Sequence, residues 1–110
     1  MLEYLFGNKN IEKILIYLSL HGKAHATELA RAFKTALDPM QKTLQKLETG
    51  GLVVSFLEGK TRVFQWNLRY PFLQEIQALA KKTYDFLPPP IQTQYQIDKR
   101  KRPRKTGKPL

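Results

Sequence analysis

Residues 24–53, AHATELARAFKTALDPMQKTLQKLETGGLV, constrain the fold more than any other stretch of this 110-residue chain. Apolar residues recur there at helical spacing in two short blocks: Ala26, Leu29, Ala30 and Phe33, then Leu37, Met40, Leu44 and Leu47. That periodicity predicts two amphipathic helices, over about 26–33 and 37–49. Glu28 falls in the first turn of the former, where the helix dipole favours an acid. Lys34-Thr35-Ala36 makes the turn between them. Asp38-Pro39 suits the start of the second helix, because Pro is tolerated in a first turn and Asp complements the dipole. Gly50-Gly51 ends it.

An earlier helix follows Asn8 or Asn10, either of which can cap it. Ile11, Ile14, Leu15 and Leu18 define its core face, and Ile16, Tyr17 and Leu20 carry apolar character round a second side. A helix apolar on more than one side is either central or shared with another subunit. His21-Gly22 stops it, and LEYLF at the start is read as a short extra helix. Beyond Gly51, the β-rich runs 52–57 and 61–66 flank Glu58-Gly59-Lys60, which is hairpin patterning. Pro71 opens a last helix whose apolar positions are Phe72, Leu73, Ile76, Leu79 and Ala80, with Tyr84 and Leu87 extending it. Pro88-Pro89-Pro90 is read as its stop. From Ile91 onward the chain is polar, then strongly basic and without periodicity, which predicts disorder in isolation. The expected architecture is mainly α with a small β-hairpin: a winged helix-turn-helix domain over 1–87, then a Pro-containing basic tail over 88–110.

Charge narrows the partner. The formal net charge is +10, from 19 Lys/Arg and 9 Asp/Glu, an excess that favours a polyanion. It is unevenly placed: residues 88–110 carry 7 Lys/Arg against the single acid Asp98. The longest apolar run, ILIYLSL at 14–20, is far short of a membrane span. MLEYLFGNKN lacks the pattern of a secretory leader, so a cytoplasmic, nucleoid-associated protein is expected. With no cysteine, disulfides, thiolate metal sites and cysteine chemistry are excluded. The acids Glu12, Glu28, Glu48, Glu58 and Glu75 are scattered, and no phosphate loop or nucleophile motif appears. Neither enzyme activity nor a cofactor or metal is expected.

The candidate site residues are those of a duplex-DNA reader. On the second helix of the pair, Gln41, Lys42, Gln45 and Lys46 lie opposite the apolar stripe. Gln can pair with adenine, and Lys with guanine or a phosphate. Leu37 and Asp38 begin that helix; Asp38 can cap it or accept from cytosine, and capping is the favoured role. Lys60, Thr61 and Arg62 form the hairpin tip, where they would meet backbone or a flanking minor groove. Phe64 and Trp66 share a strand face and are read as core rather than base-stacking. His25 is read as a cap for the helix it precedes. Lys99, Arg100, Lys101, Arg102, Arg104 and Lys105 would run along phosphates beyond the core site, unless they merely solubilise the chain end.

LFGNKNIEKIL, then ELARAF, then LQKLETGGLVVSFLEGKTRVFQWN together resemble the small winged-helix regulators of the ArsR/MarR-like superfamily, over residues 5–80. The resemblance implies a sequence-specific, usually dimeric DNA-binding transcription regulator. In the most similar subgroup the domain is often fused to a nucleotidyltransferase-like domain. Here the basic segment stands in that place, so nucleotidyl transfer is not carried over. Metal sensing is not carried over either, since only His21 and His25 are present as imidazole ligands. Asp38-Pro39 and Thr35 depart from the group's pattern.

The favoured reading is therefore a homodimeric repressor acting by occupancy, dimerised through surplus apolar surface on the first helix (Ile16, Tyr17, Leu20) and the last (Leu79, Tyr84, Leu87). Two other readings compete. One is a winged-helix interaction module that regulates a partner protein. The other is a binder of RNA or single-stranded DNA led by the tail.

Overall fold

The computed structural model describes residues 1–96. Along the chain run α1 (Glu3–Phe6), α2 (Lys9–His21), β1 (Lys23–Ala24), α3 (Ala26–Phe33), α4 (Leu37–Thr49), β2 (Val53–Glu58), β3 (Thr61–Trp66), α5 (Leu73–Phe86) and α6 (Pro89–Gln94). Three helices, a hairpin and a closing helix come in the order expected of a winged helix-turn-helix.

Local chemistry sets the boundaries. Asn8 rather than Asn10 caps α2, its Oδ1 accepting from the Asn10 N–H at 2.7 Å, which satisfies one of the free amides of the first turn. His25 caps α3, its Nδ1 accepting from the Glu28 N–H at 3.3 Å. α4 begins differently. Its cap is Ala36, with no side-chain hydrogen bond, and Asp38 pairs instead with Lys42 Nζ at 3.2 Å. The capping role expected of Asp38 is thus not the one it plays. α5 starts at Leu73 rather than Pro71, and Phe72 is left exposed.

α2 is the axis of the domain. Ile14, Leu15, Ile16, Tyr17 and Leu18 are all at or below 1% exposure, so the helix is enclosed on every side rather than on one stripe. This overturns the expectation that Ile16 and Tyr17 remain free for a second subunit. Tyr17 is spent inside the chain: its ring lies 4.3 Å from that of His21 and 6.3 Å from that of Phe33. Ile16 sits beside α5 and the Trp66 strand. Leu87 is buried as well.

The sheet has three antiparallel strands in the order β1-β3-β2, one more than the expected hairpin. β2 and β3 pair from Val53↔Trp66 to Glu58↔Thr61, with Gly59 at φ 64° in the turn, a left-handed conformation that glycine adopts at no steric cost. β1 adds Lys23↔Gln65 and Ala24↔Phe64, and Lys23 Nζ reaches Glu58 Oε2 at 2.5 Å. The hairpin is also tied to the end of α4: Leu52 N–H donates to Leu47 O at 3.0 Å and Asn67 Nδ2 to Gly51 O at 2.8 Å.

The C-terminal region differs most from expectation. Pro88-Pro89-Pro90 does not end regular structure; Pro89 and Pro90 become the first residues of α6. A first helical turn has no use for the missing N–H, and the fixed φ of proline suits it. α6 delivers Tyr95 into the core at 2% exposure. Its ring meets Phe33 at 4.8 Å and Tyr84 at 6.0 Å, and its carbonyl oxygen accepts from His21 Nε2 at 2.6 Å. Burial raises the Tyr95 phenol above its ordinary value of 10.0, with the negative charge of Glu12 adding to the effect. Ordered chain thus continues past the expected boundary at 87/88.

Candidate nucleic-acid interface

The turn between α3 and α4 fixes how the second helix is presented. Lys34 closes α3 at φ 54°, a left-handed conformation that costs a side-chain-bearing residue energy. The next residue, Thr35, buries a hydroxyl that has no hydrogen-bond partner among the described residues. With α3 set against it, α4 turns Met40, Thr43 and Leu44 inward. Thr43 donates its hydroxyl to Pro39 O at 2.9 Å, which is how a polar residue sits on the buried stripe. Leu37 does not belong to that stripe: it is 41% exposed. It is the first residue of α4, so no earlier turn of the helix lies beside its side chain.

Gln41, Lys42, Gln45 and Lys46 are all exposed on the opposite side, together with Asp38, and Leu37 is exposed at the helix start. Their surroundings separate them. Gln41 and Gln45 line a cleft of about 450 Å³ whose other walls are His25, Ala26 and Thr27 from the start of α3 and Lys60, Thr61, Arg62 and Phe64 from the wing. The two glutamines and the wing-tip residues, far apart in sequence, therefore share one concavity. Lys42 and Lys46 lie outside its lining, as do Leu37 and Asp38. Lys42 is engaged with Asp38, an exposed i,i+4 pair of the kind worth a few tenths of a kcal/mol to about 1.

The wing is held against α4 by a three-residue relay. Ser55 Oγ on β2 donates to Glu48 Oε2 at 2.7 Å, and Arg62 Nη1 on β3 donates to the same Ser55 Oγ at 3.3 Å. The guanidinium is thereby steered toward the last turn of α4 while the rest of its side chain stays exposed.

Phe64 is buried at 6%, and Trp66 at 8%, so both are core residues, with an edge of Phe64 reaching the cleft wall. Sequence reasoning did not place His25, Ala26 and Thr27 at the site. The available signal was their position: the cap and first turn of the helix that precedes a reading helix necessarily lie beside it. Lys99, Arg100, Lys101, Arg102, Arg104 and Lys105 lie outside the described residues.

Among the described residues no group of three or more His, Cys, Asp or Glu side chains could hold a metal ion, and no helix is long and apolar enough to cross a membrane.

No family profile and no curated protein matches the chain in sequence. Solved structures do match it in shape. The AntR antimony-specific transcriptional repressor superposes with a TM-score of 0.59 at 18% identity, over 76% of this chain and 74% of that one. The YusO protein from Bacillus subtilis gives 0.56 at 16% identity, covering 86% and 74% respectively. The transcriptional regulator BldR from Sulfolobus solfataricus gives 0.54 at 13%, covering 89% and 76%. The chain has the winged helix-turn-helix fold that these proteins share.

Proposed function

We propose that this chain is a sequence-specific, double-stranded-DNA-binding transcription regulator that represses by occupying its site. One observation carries the reading: the outward amides of Gln41 and Gln45 share a concave surface with the cationic wing tip, Lys60 and Arg62. A duplex supplies what that surface lacks. Base edges would face the glutamines in the major groove, and phosphates would face Lys60, Thr61, Arg62 and the start of α3. Lys42 and Lys46 would reach the groove walls. The likeness in fold to AntR, a transcriptional repressor, and to BldR, a transcriptional regulator, supports the same role, which is one of binding rather than catalysis. Its place of action would be the nucleoid, within the cytoplasm.

The basic residues at 99–105 would add sequence-independent affinity by neutralising phosphates. A single module of this size gives too small an interface for high specificity, so we place two copies on two half-sites. With Ile16, Tyr17 and Leu87 enclosed, the contact between copies would draw on apolar side chains that remain exposed, among them Tyr4 and Leu5 of α1, Phe86 of α5 and Ile91 of α6, beside the half-buried Leu20, Leu79 and Tyr84.

The test is binding to a labelled duplex followed across salt concentration. Removing residues 99–110 is expected to flatten the slope of log affinity against log salt by up to about six. Gln41→Ala with Gln45→Ala is expected to leave that slope in place and relax sequence preference. Preference for single strands over duplex, or identical behaviour of the two variants, would contradict the assignment.

A further inference from the structure

The reading surface has a composition that narrows the kind of DNA it suits. α4, LDPMQKTLQKLET, contains no arginine, and arginine is the commonest partner of guanine's major-groove edge. Asp38, the residue suited to cytosine, pairs with Lys42 at 3.2 Å, and both lie outside the cleft that the glutamines line, as does Lys46. The polar groups that face the cleft from α4 are the two glutamines, and a glutamine amide matches the donor-and-acceptor pair on adenine's major-groove edge. Leu37, the largest apolar side chain at the start of the helix, is 41% exposed. An exposed leucine there gains by covering a thymine methyl, the one apolar group in the groove.

From this composition we infer that the half-site read by α4 is centred on A·T pairs, with Gln41 and Gln45 each taking an adenine and Leu37 a neighbouring thymine methyl. The inference rests on the duplex-DNA assignment above. Spacing supports it. Residues four apart on a helix are separated by about 6 Å along its axis, and successive base pairs by about 3.4 Å. The two glutamines therefore meet bases roughly two steps apart. Arg62, held by Ser55 at 3.3 Å, belongs to the wing and takes no part in this readout.

The experiment is selection of duplexes with a randomised central core by the full chain, followed by affinity measurements on the recovered core. We expect two A·T positions about two base pairs apart, each losing roughly tenfold to a hundredfold in affinity when changed to G·C. A similar loss is expected when the adenine is replaced by 7-deazaadenine, which removes the acceptor but keeps the base pair. Gln41→Ala should erase the preference at one position and Gln45→Ala at the other, while both variants still bind bulk duplex. A flat profile or a G·C core, with duplex still bound, overturns the inference and leaves the DNA-binding assignment standing. Failure to retain any duplex overturns that assignment itself. Because the deaza substitution alters only the DNA, its outcome is independent of how the variants fold.

Discussion

α2 and α4 have the same length, 13 residues each, and opposite fates. α2 is enclosed from Ile14 to Leu18, whereas α4 buries only Met40, Thr43 and Leu44. The difference lies in their neighbours. α2 is contacted by α1, α4, α5 and β1, so each of its faces finds a partner within the chain. α4 has α3 and α2 on one side and the hairpin at its end, which leaves a flank of amides and ammonium groups to solvent. A helix that is apolar all round organises a domain; one that is half polar is available to something outside it.

The largest effect that could break this contrast is in stability. Tyr17→Ala should destabilise the fold by about 3–5 kcal/mol, as large aromatic truncations in cores do, whereas Gln41→Ala on the exposed flank should change stability by no more than about 0.5 kcal/mol. Chemical denaturation of both variants checks it; similar losses would mean that α4 is as embedded as α2. Tyr95→Ala tests whether the C-terminal element belongs to the enclosed region. With Phe33 and Tyr84 packed on its ring, a loss of about 2–4 kcal/mol is expected.

A pH experiment sharpens the same point. The native Tyr95 phenol holds its proton above the ordinary value of 10.0, while the unfolded chain releases it there. Stability should therefore fall as pH rises beyond 10, with a slope of at most about 1.4 kcal/mol per pH unit from this group. Tyr95→Phe should remove that component. A smaller change is expected at the turn before α4. Thr35→Val removes a buried hydroxyl without a partner among the described residues and should be neutral or stabilising by up to about 1 kcal/mol, measured as a shift in denaturation midpoint. On the exposed flank, Asp38→Asn frees Lys42 and should steepen the salt dependence of duplex binding by about one unit.

The parts of the molecule that were legible in the sequence are those with a repeating physical signal. The 3.6-residue spacing of Leu29, Met40 and Leu44 and the β-rich runs flanking Glu58-Gly59-Lys60 follow from local chemistry and appear as expected, and of the two caps open to α2, Asn8 and Asn10, the structure selects Asn8. The errors come from residues whose role depends on a distant neighbour. Ile16 and Tyr17 read as surplus because nothing local shows that α5, Phe33 and Trp66 close over them. Leu37 reads as buried because helical spacing does not show that a helix end outruns its cover. β1 spans two residues, too few for any alternation to register. α6 was hidden by the very prolines that begin it. Tyr95, an aromatic in a polar run, was the one trace that this segment turns inward. At the candidate site, the individual glutamines and wing cations were legible. Their convergence with His25, Ala26 and Thr27 into one cleft was not, because it depends on how the hairpin is tied to the end of α4.

If the flank of α4 and the wing tip together form the surface that meets duplex DNA, amide NMR of the full chain titrated with duplex should show shifts concentrated at residues 25–28, 37–46 and 59–62, with the enclosed residues of α2 unmoved. Shifts confined to α1, α5 or α6, with the α4 flank silent, would contradict it.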